Sequence, residues 1–213
     1  MLVLLPLLAL VAPPYRELYF DQRLDHFRFD STAPTWKQRY LVDDSQWVPG
    51  RGPILFYSGN EGPITAFWEA SGFVTTTLAK KLGALVLFAE QRYYGTSLPF
   101  GDASTTVPAH LAYLSTEQVL ADYAHLLTTL KPSLTNGTDV PVVTFGGSYG
   151  GTLSTLFRAK YPHVVVGALA ARAHCDADSA LRRVYVVRHD HPRLHGGRTG
   201  MLRHARCRGE ARQ

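Results

Sequence analysis

A serine set between glycines is the feature of this sequence best suited to chemistry. Residues 144–151 read TFGGSYGG, and Ser148 stands between Gly146 and Gly150 in the pattern G-x-S-x-G. An apolar run precedes it and a helix-like stretch follows, which predicts a sharp turn between a strand and a helix. We expect Ser148 to be a nucleophile for acyl transfer, because a helix N-terminus favours the negative charge that forms. A glycine-rich turn without chemistry is the alternative.

The charge of an acyl-transfer intermediate requires hydrogen-bond donors close to the serine. The backbone N–H of Tyr149, which follows the nucleophile, is predicted to be one of them. The second is expected from a loop after an earlier strand, and residues 58–62, SGNEG, follow a short apolar run. We assign Gly59 and Asn60 to this oxyanion hole and Glu61, beside them, to substrate binding. A purely structural turn is the alternative for this loop.

Strand-like and helix-like stretches alternate around these residues. Apolar runs predict strands at 39–42, 54–57, 84–88, 142–145 and 164–171. Helices are predicted at 65–82, stopped by Gly83, at 149–160, and from the capping-box pair Ser115 and Gln118 to Pro132. Such alternation indicates a mostly parallel sheet covered by helices. We expect five parallel or near-parallel strands, with Ser148 within about 15 Å of the loop 59–62.

The two ends of the chain differ in composition from its body. Residues 1–12 are apolar and uncharged, too short to span a bilayer, and predict a signal peptide within residues 1–14. A buried or mis-started segment is the alternative. Residues 172–213 contain ten arginines, no lysine and four acids, so the chain's positive charge lies in this tail. We expect the tail to be disordered, to touch the body little and to bind no nucleic acid. An arginine-rich arm that binds nucleic acid or a membrane surface is the alternative.

The remaining polar signals are few. Both cysteines, Cys175 and Cys207, lie in the tail without metal-ligand spacing, so neither a disulfide in the body nor a metal site is predicted. No cofactor is called for. Asn136 opens the sequence Asn-Gly-Thr, a glycosylation acceptor that suits a secreted chain.

Six longer stretches together resemble a known family. They read YFDQRLDHF (19–27), GPILFYSGNEGPI (52–64), ALVLFAEQRYYGTSLPFG (84–101), LSTEQVLADYA (114–124), FGGSYGG (145–151) and KYPHVVVGALAA (160–171). They resemble the lysosomal serine exopeptidase family of dipeptidyl peptidase II and prolyl carboxypeptidase, and dipeptidyl peptidase II most closely. The resemblance implies the N-terminal part of an α/β-hydrolase fold at 15–171, with Ser148 as nucleophile. It also implies a lysosomal, vesicular or secreted location and, for full-length members, a homodimer.

The resemblance implies a reaction that releases N-terminal dipeptides with a penultimate proline or alanine through an acyl-enzyme. The expected partners are therefore peptides with proline or alanine near a terminus, with no nucleic acid and no membrane. A prolyl carboxypeptidase activity, which acts from the other end of the peptide, is the first alternative. A non-catalytic truncated isoform or a gene-model artefact is the second.

The sequence departs from the family at two places. Gln91 stands in the stretch EQRYYG, where the family usually has histidine. After Ala171 the family continues to a helical insert and then to the aspartate and histidine of the triad, whereas this chain changes into its arginine-rich tail. Because acid and base follow the serine in this fold, we expect the last strands and both residues to be missing. We therefore expect 172–213 to be an aberrant tail and the chain alone to be inactive.

Overall fold

A mixed sheet is the centre of the computed structural model, which describes residues 13–28, 34–172 and 184–188. The strands of this sheet are β1 Arg16–Arg23, β2 Thr35–Asp43, β3 Ile54–Ser58, β4 Leu85–Ala89, β5 Val142–Gly147, β6 Gly167–Ala171 and β7 Val184–Arg188. Their order is β1-β2-β4-β3-β5-β6-β7. β4, β3, β5 and β6 are mutually parallel. The pairs β1–β2, β2–β4 and β6–β7 are antiparallel.

The predicted strands all form, but one of them is antiparallel to its neighbour and not parallel as expected. The run 39–42 belongs to β2, which pairs antiparallel with β4. A parallel strand requires a crossover, usually a helix, whereas the connection 44–53 from β2 to β3 contains none. The run 164–171 is shortened to β6, and β1 was not predicted.

Helices cover both faces of the sheet. They are α1 Ile64–Ala70, a π-helical segment Phe73–Leu78, α2 Ala79–Leu82, α3 Ala103–Thr106, a 3₁₀ segment Pro108–Tyr113, α4 Thr116–Leu134 and α5 Tyr149–Lys160. α4 and α5 pack on one face, with Phe56, Tyr123 and Phe157 in the core between. α1 and α2 pack on the other face, over Tyr57 and Phe88.

Two helix predictions need correction. The single helix expected at 65–82 is interrupted after Ala70, and Thr76 Oγ1 donates to the Gly72 carbonyl at 2.6 Å. Such side-chain bonds compete with the regular helical ladder, as do β-branched residues in a row. α4 continues past Pro132 to Leu134, because proline lacks an N–H but has a φ angle compatible with one further turn.

The tail contains one described segment, and it is part of the sheet. β7 pairs with the whole of β6, from Ala171 opposite Val184 to Gly167 opposite Arg188. For these five residues the expectation of little contact with the body is wrong, because the run of β-branched and aromatic residues can pair with the edge of β6. Apart from Arg172, the rest of the tail, including both cysteines, lies outside the described residues, as do residues 1–12 of the expected signal peptide. None of the helices in the described ranges is long and apolar enough to cross a membrane.

Candidate active site

Ser148 occupies a strained turn between β5 and α5. Its φ of 54° and ψ of −127° lie outside the regions that non-glycine residues favour. The Ser148 N–H donates to the Ala171 carbonyl at 2.9 Å, which ties the turn to the end of β6. The residue is solvent-exposed. The predicted sharp bend at the end of a strand is confirmed.

The flanking glycines are required by close contacts. A Cβ on Gly146 would lie 2.3 Å from the Gly150 carbonyl oxygen. A Cβ on Gly150 would lie 2.7 Å from the Ser58 carbonyl oxygen and 3.2 Å from Asn60 Oδ1. The loop after β3 therefore lies directly against the turn. Two residues span at most about 7 Å of chain, so the expected proximity of Ser148 to this loop is confirmed.

The loop after β3 offers one of its two expected donors. The Gly59 N–H donates to the Ala89 carbonyl at 3.1 Å, so Gly59 does not present this group to a substrate. In this loop, the backbone N–H of Asn60 is therefore the remaining candidate donor for the oxyanion hole. Tyr149 is the first residue of α5, and the first N–H groups of a helix have no partner within it. The roles of Tyr149 and Asn60 stay predictions.

Two tyrosines that the sequence analysis did not single out hold this loop. Tyr57 donates its hydroxyl to Asn60 Oδ1 at 2.9 Å, and Tyr123 donates to the Gly59 carbonyl at 2.6 Å. Burial raises the pKa of both hydroxyls, while the Gly147 backbone N–H acts on Tyr57 in the opposite direction. Both hydroxyls therefore stay protonated and donate.

Glu61 is exposed and follows Asn60 in the loop after β3. Burial raises the pKa of Tyr94, and the nearby charges of Glu61 and Tyr149 raise it further. Tyr149 Oη lies 3.0 Å from Thr116 Oγ1 in the first turn of α4. Substrate binding by Glu61 stays a prediction.

The stretch EQRYYG has a structural role at the same edge of the sheet. Glu90 is fully buried and accepts from the Arg39 guanidinium at 2.6 Å and from the Ile64 N–H at 2.9 Å. A Cβ on Gly95 would lie 2.0 Å from Glu90 Oε1. Gln91 is buried too, and its Oε1 has no partner within the described residues. Glu90 was not among the predicted site residues, although an acid next to an apolar strand was a usable signal.

The described histidines are all engaged away from Ser148. His26 Nε2 lies 2.8 Å from Asp122 Oδ1, His110 Nδ1 2.8 Å from the Ala103 carbonyl, and His125 Nδ1 2.6 Å from Gln22 Oε1. His163 lines a cavity of about 260 Å³ near the start of β5, at the opposite end of that strand from the serine. The described residues therefore supply no base in contact with Ser148, and the tail histidines lie outside them.

Two other predictions concern the surface and metals. Asn136 lies in an exposed turn with φ 51°, accessible to modification, and its glycosylation stays a prediction. No group of three or more His, Cys, Asp or Glu residues in the described part of the chain could hold a metal ion.

Comparisons with known proteins agree with this geometry. The family model of serine carboxypeptidase S28 matches residues 22–188. Human lysosomal Pro-X carboxypeptidase is 52% identical over 166 residues, which are 78% of this chain and 33% of that protein. Prolyl carboxy peptidase like protein 5 of Caenorhabditis elegans is 46% identical over 160 residues, 75% of this chain and 31% of that protein. This chain spans about a third of the length of these relatives, and they do not support a special likeness to dipeptidyl peptidase II.

A solved structure gives the fold. The esterase Pf2001 of Pyrococcus furiosus superposes with a TM-score of 0.50 at 12% identity, over 75% of this chain and 49% of that one. At this identity the likeness concerns the fold alone. Together with the strand–turn–helix at Ser148, it identifies the described residues as part of an α/β-hydrolase fold.

Proposed function

The chain belongs to the serine carboxypeptidase S28 family, and from that membership we propose that Ser148 is the nucleophile of a peptidase acting next to proline. The observation that carries this proposal is the strained turn at Ser148, set against the loop after β3. Strain of this kind persists where the surrounding structure enforces it, and it is concentrated at functional sites.

The chemistry follows from the positions of the donors. Ser148 Oγ attacks the peptide carbonyl carbon, and the negative oxygen of the intermediate accepts from the N–H groups of Tyr149 and Asn60. The C–N bond then breaks, and the leaving amine takes a proton while the acyl group stays on the serine. Water attacks the acyl-enzyme, releases the acid and restores the hydroxyl. A general base must accept the serine proton, and no described residue is placed to do so.

We propose the carboxypeptidase direction as the first specificity: release of a C-terminal residue that follows proline. The support is the likeness to Pro-X carboxypeptidases across most of this chain, including the turn at Ser148 and the loop after β3. The same likeness supports a lysosomal or secretory location. The homodimer expected from the resemblance stays a prediction.

One observation favours a second specificity, the release of N-terminal dipeptides. The exposed carboxylate of Glu61 follows Asn60 in the loop after β3, and its charge helps to raise the pKa of Tyr94. A carboxylate attracts the charged amino terminus of a peptide and repels a terminal carboxylate, so this loop suits a substrate read from its amino end.

The experiment compares the 213-residue chain with a fusion in which residues 1–171 continue into the corresponding sequence of the human relative. Each protein is offered an N-blocked peptide ending in Pro-Phe and a free Lys-Pro reporter at acid pH. We expect the fusion to cleave the blocked peptide, Ser148→Ala to abolish cleavage, and the chain alone to stay at background. Full activity in Ser148→Ala would refute the nucleophile, and exclusive cleavage of the Lys-Pro reporter would select the second specificity.

A further inference from the structure

Two buried hydroxyls reach the loop 59–62 from opposite faces of the sheet. Tyr57 packs in the core under α1 and donates to Asn60 Oδ1 at 2.9 Å. Tyr123 belongs to α4, packs in the core on the other face of the sheet, and donates to the Gly59 carbonyl at 2.6 Å. Tyr57 is 5% exposed and Tyr123 is fully buried. The loop is therefore held on both sides by groups that cannot exchange their bonds with water.

The other polar groups of this loop are also used inside the protein. The Gly59 N–H donates to the Ala89 carbonyl, and the Gly62 N–H donates to the Asn60 carbonyl at 2.8 Å. In the described part of the chain, the backbone N–H of Asn60 is the remaining backbone donor of residues 59 and 60, and it has no acceptor there. Every other group that could turn this peptide unit is fixed, so the orientation of that N–H is set by its neighbours.

Tyr57 also connects the loop with the nucleophile. The backbone N–H of Gly147, the residue before Ser148, interacts with the Tyr57 hydroxyl, which in turn donates to Asn60. Asn60 Oδ1 lies where it would be 3.2 Å from a Cβ on Gly150, two residues after the serine. The Tyr57 phenol thus lies between the turn that carries Ser148 and the loop that carries the free N–H.

We propose that Tyr57 and Tyr123 are positioning residues that aim the Asn60 N–H at the oxyanion formed on Ser148. The inference rests on the proposed function, since only acyl transfer creates that oxyanion. Donors act when they lie about 2.7–3.1 Å from the place that the oxygen will occupy. A small rotation of the peptide between Gly59 and Asn60 therefore weakens catalysis without altering the shape of the core.

The test removes each hydroxyl and retains the ring. Tyr57→Phe and Tyr123→Phe are compared with Tyr161→Phe, a half-buried tyrosine at the far end of α5. Hydrogen exchange is measured in the 213-residue chain at the Gly59 and Gly62 amides, together with the melting temperature. Reaction of Ser148 with a fluorophosphonate is measured in the fusion described above, with its maximal rate and its half-saturating concentration determined separately.

We expect both variants to speed exchange at the two loop amides at least tenfold more than elsewhere. We expect the maximal fluorophosphonate rate to fall at least tenfold with little change in half-saturation, and Tyr161→Phe to change neither. Asn60→Ala removes the acceptor of the Tyr57 hydroxyl and should have the same effects as Tyr57→Phe. It therefore tests the same bond if Tyr57→Phe fails to fold. Unchanged loop exchange, or faster exchange with an unchanged rate, would overturn the inference. A parent fusion that does not react at Ser148 would instead refute the proposed function.

Discussion

The turn that carries Ser148 depends on two glycines that allow close backbone contacts. Gly146 and Gly150 face backbone oxygens at distances that exclude a methyl group, whereas a Cβ on Gly147 would meet nothing within 4 Å. Glycine is thus required by close packing at positions 146 and 150 of the pattern G-x-S-x-G, whereas position 147 has space for a larger residue. This difference makes Gly150→Ala and Gly147→Ala a matched pair of substitutions within the same turn.

We expect Gly150→Ala to destabilise the protein by about 1–3 kcal/mol, because its methyl group must displace the Ser58 carbonyl and Asn60. Urea unfolding measures the loss. Gly147→Ala is the control and should cost less, since its methyl group has space. Equal losses in the two variants would show that close packing at Gly150 is not the cause.

The buried ion pair of Glu90 and Arg39 gives a second prediction. Glu90→Gln removes the charge that faces a largely buried guanidinium, and we expect a loss of about 3–5 kcal/mol. Glu17 lies 3.6 Å from the same guanidinium but is 36% exposed, so Glu17→Gln should cost at most about 1 kcal/mol. Urea unfolding of both variants checks the ranking, and a smaller loss at Glu90 than at Glu17 would contradict it.

At the scale of elements, β1 is attached to α4 by buried polar groups. Gln22 of β1 is fully buried, donates to the Asp122 carbonyl at 2.9 Å, and faces His125 Nδ1 through its own carbonyl oxygen. Burial lowers the pKa of His125, and the charges of His26 and Arg23 lower it further, while Asp122 opposes them. The contact is therefore adapted to a neutral His125.

Acid should weaken this attachment. Because the folded-state pKa of His125 lies below its unfolded value of 6.5, its contribution is complete above that pH. It is lost as the pH falls below 6.5 and the unfolded chain binds the extra proton. We expect His125→Gln to flatten the decline of the unfolding free energy between pH 7 and 5, with His163→Gln at an exposed position as the control. An unchanged slope in His125→Gln would exclude this origin.

The elements that sequence reasoning found are those whose signals are local. α5 begins and ends where its apolar spacing and Pro162 place it, and the Ser115 hydroxyl accepts from the Gln118 N–H as the capping pattern predicts. The direction of β2 follows from the connection 44–53, which contains no helix, and no residue within β2 encodes it. The contacts of Tyr57 and Tyr123 could not be predicted either. In a sequence, a tyrosine within an apolar run indicates only a core position, and the partner of its hydroxyl is not encoded nearby.

At the scale of the whole molecule, β7 covers an edge of the sheet that would otherwise expose β6. A strand edge without a partner presents free N–H and C=O groups that pair with other chains. We expect a chain ending at Arg172 to be less stable than the 213-residue chain and to associate as its concentration rises. Urea unfolding and light scattering measure the two effects.

A chain ending at Arg188 is the control for this comparison, since it retains β7 and removes residues 189–213. It should behave as the 213-residue chain does. If the chain ending at Arg172 is equally stable and monomeric, β7 contributes nothing to the sheet.

The pairing of β3 with β5 also determines when the site can form. Ile54 pairs with Val142, about ninety residues later, and β4 and α4 lie between them in the chain. Contacts this distant in sequence form slowly, because the chain must close a long loop before they stabilise anything. During synthesis the loop after β3 emerges long before Ser148 does, so we expect the packing of the serine turn against this loop to be a late step of folding. Until β3 and β5 have paired, the proposed oxyanion donors of Asn60 and Tyr149 stay apart in the growing chain, so the site is assembled only once the sheet around it is in place.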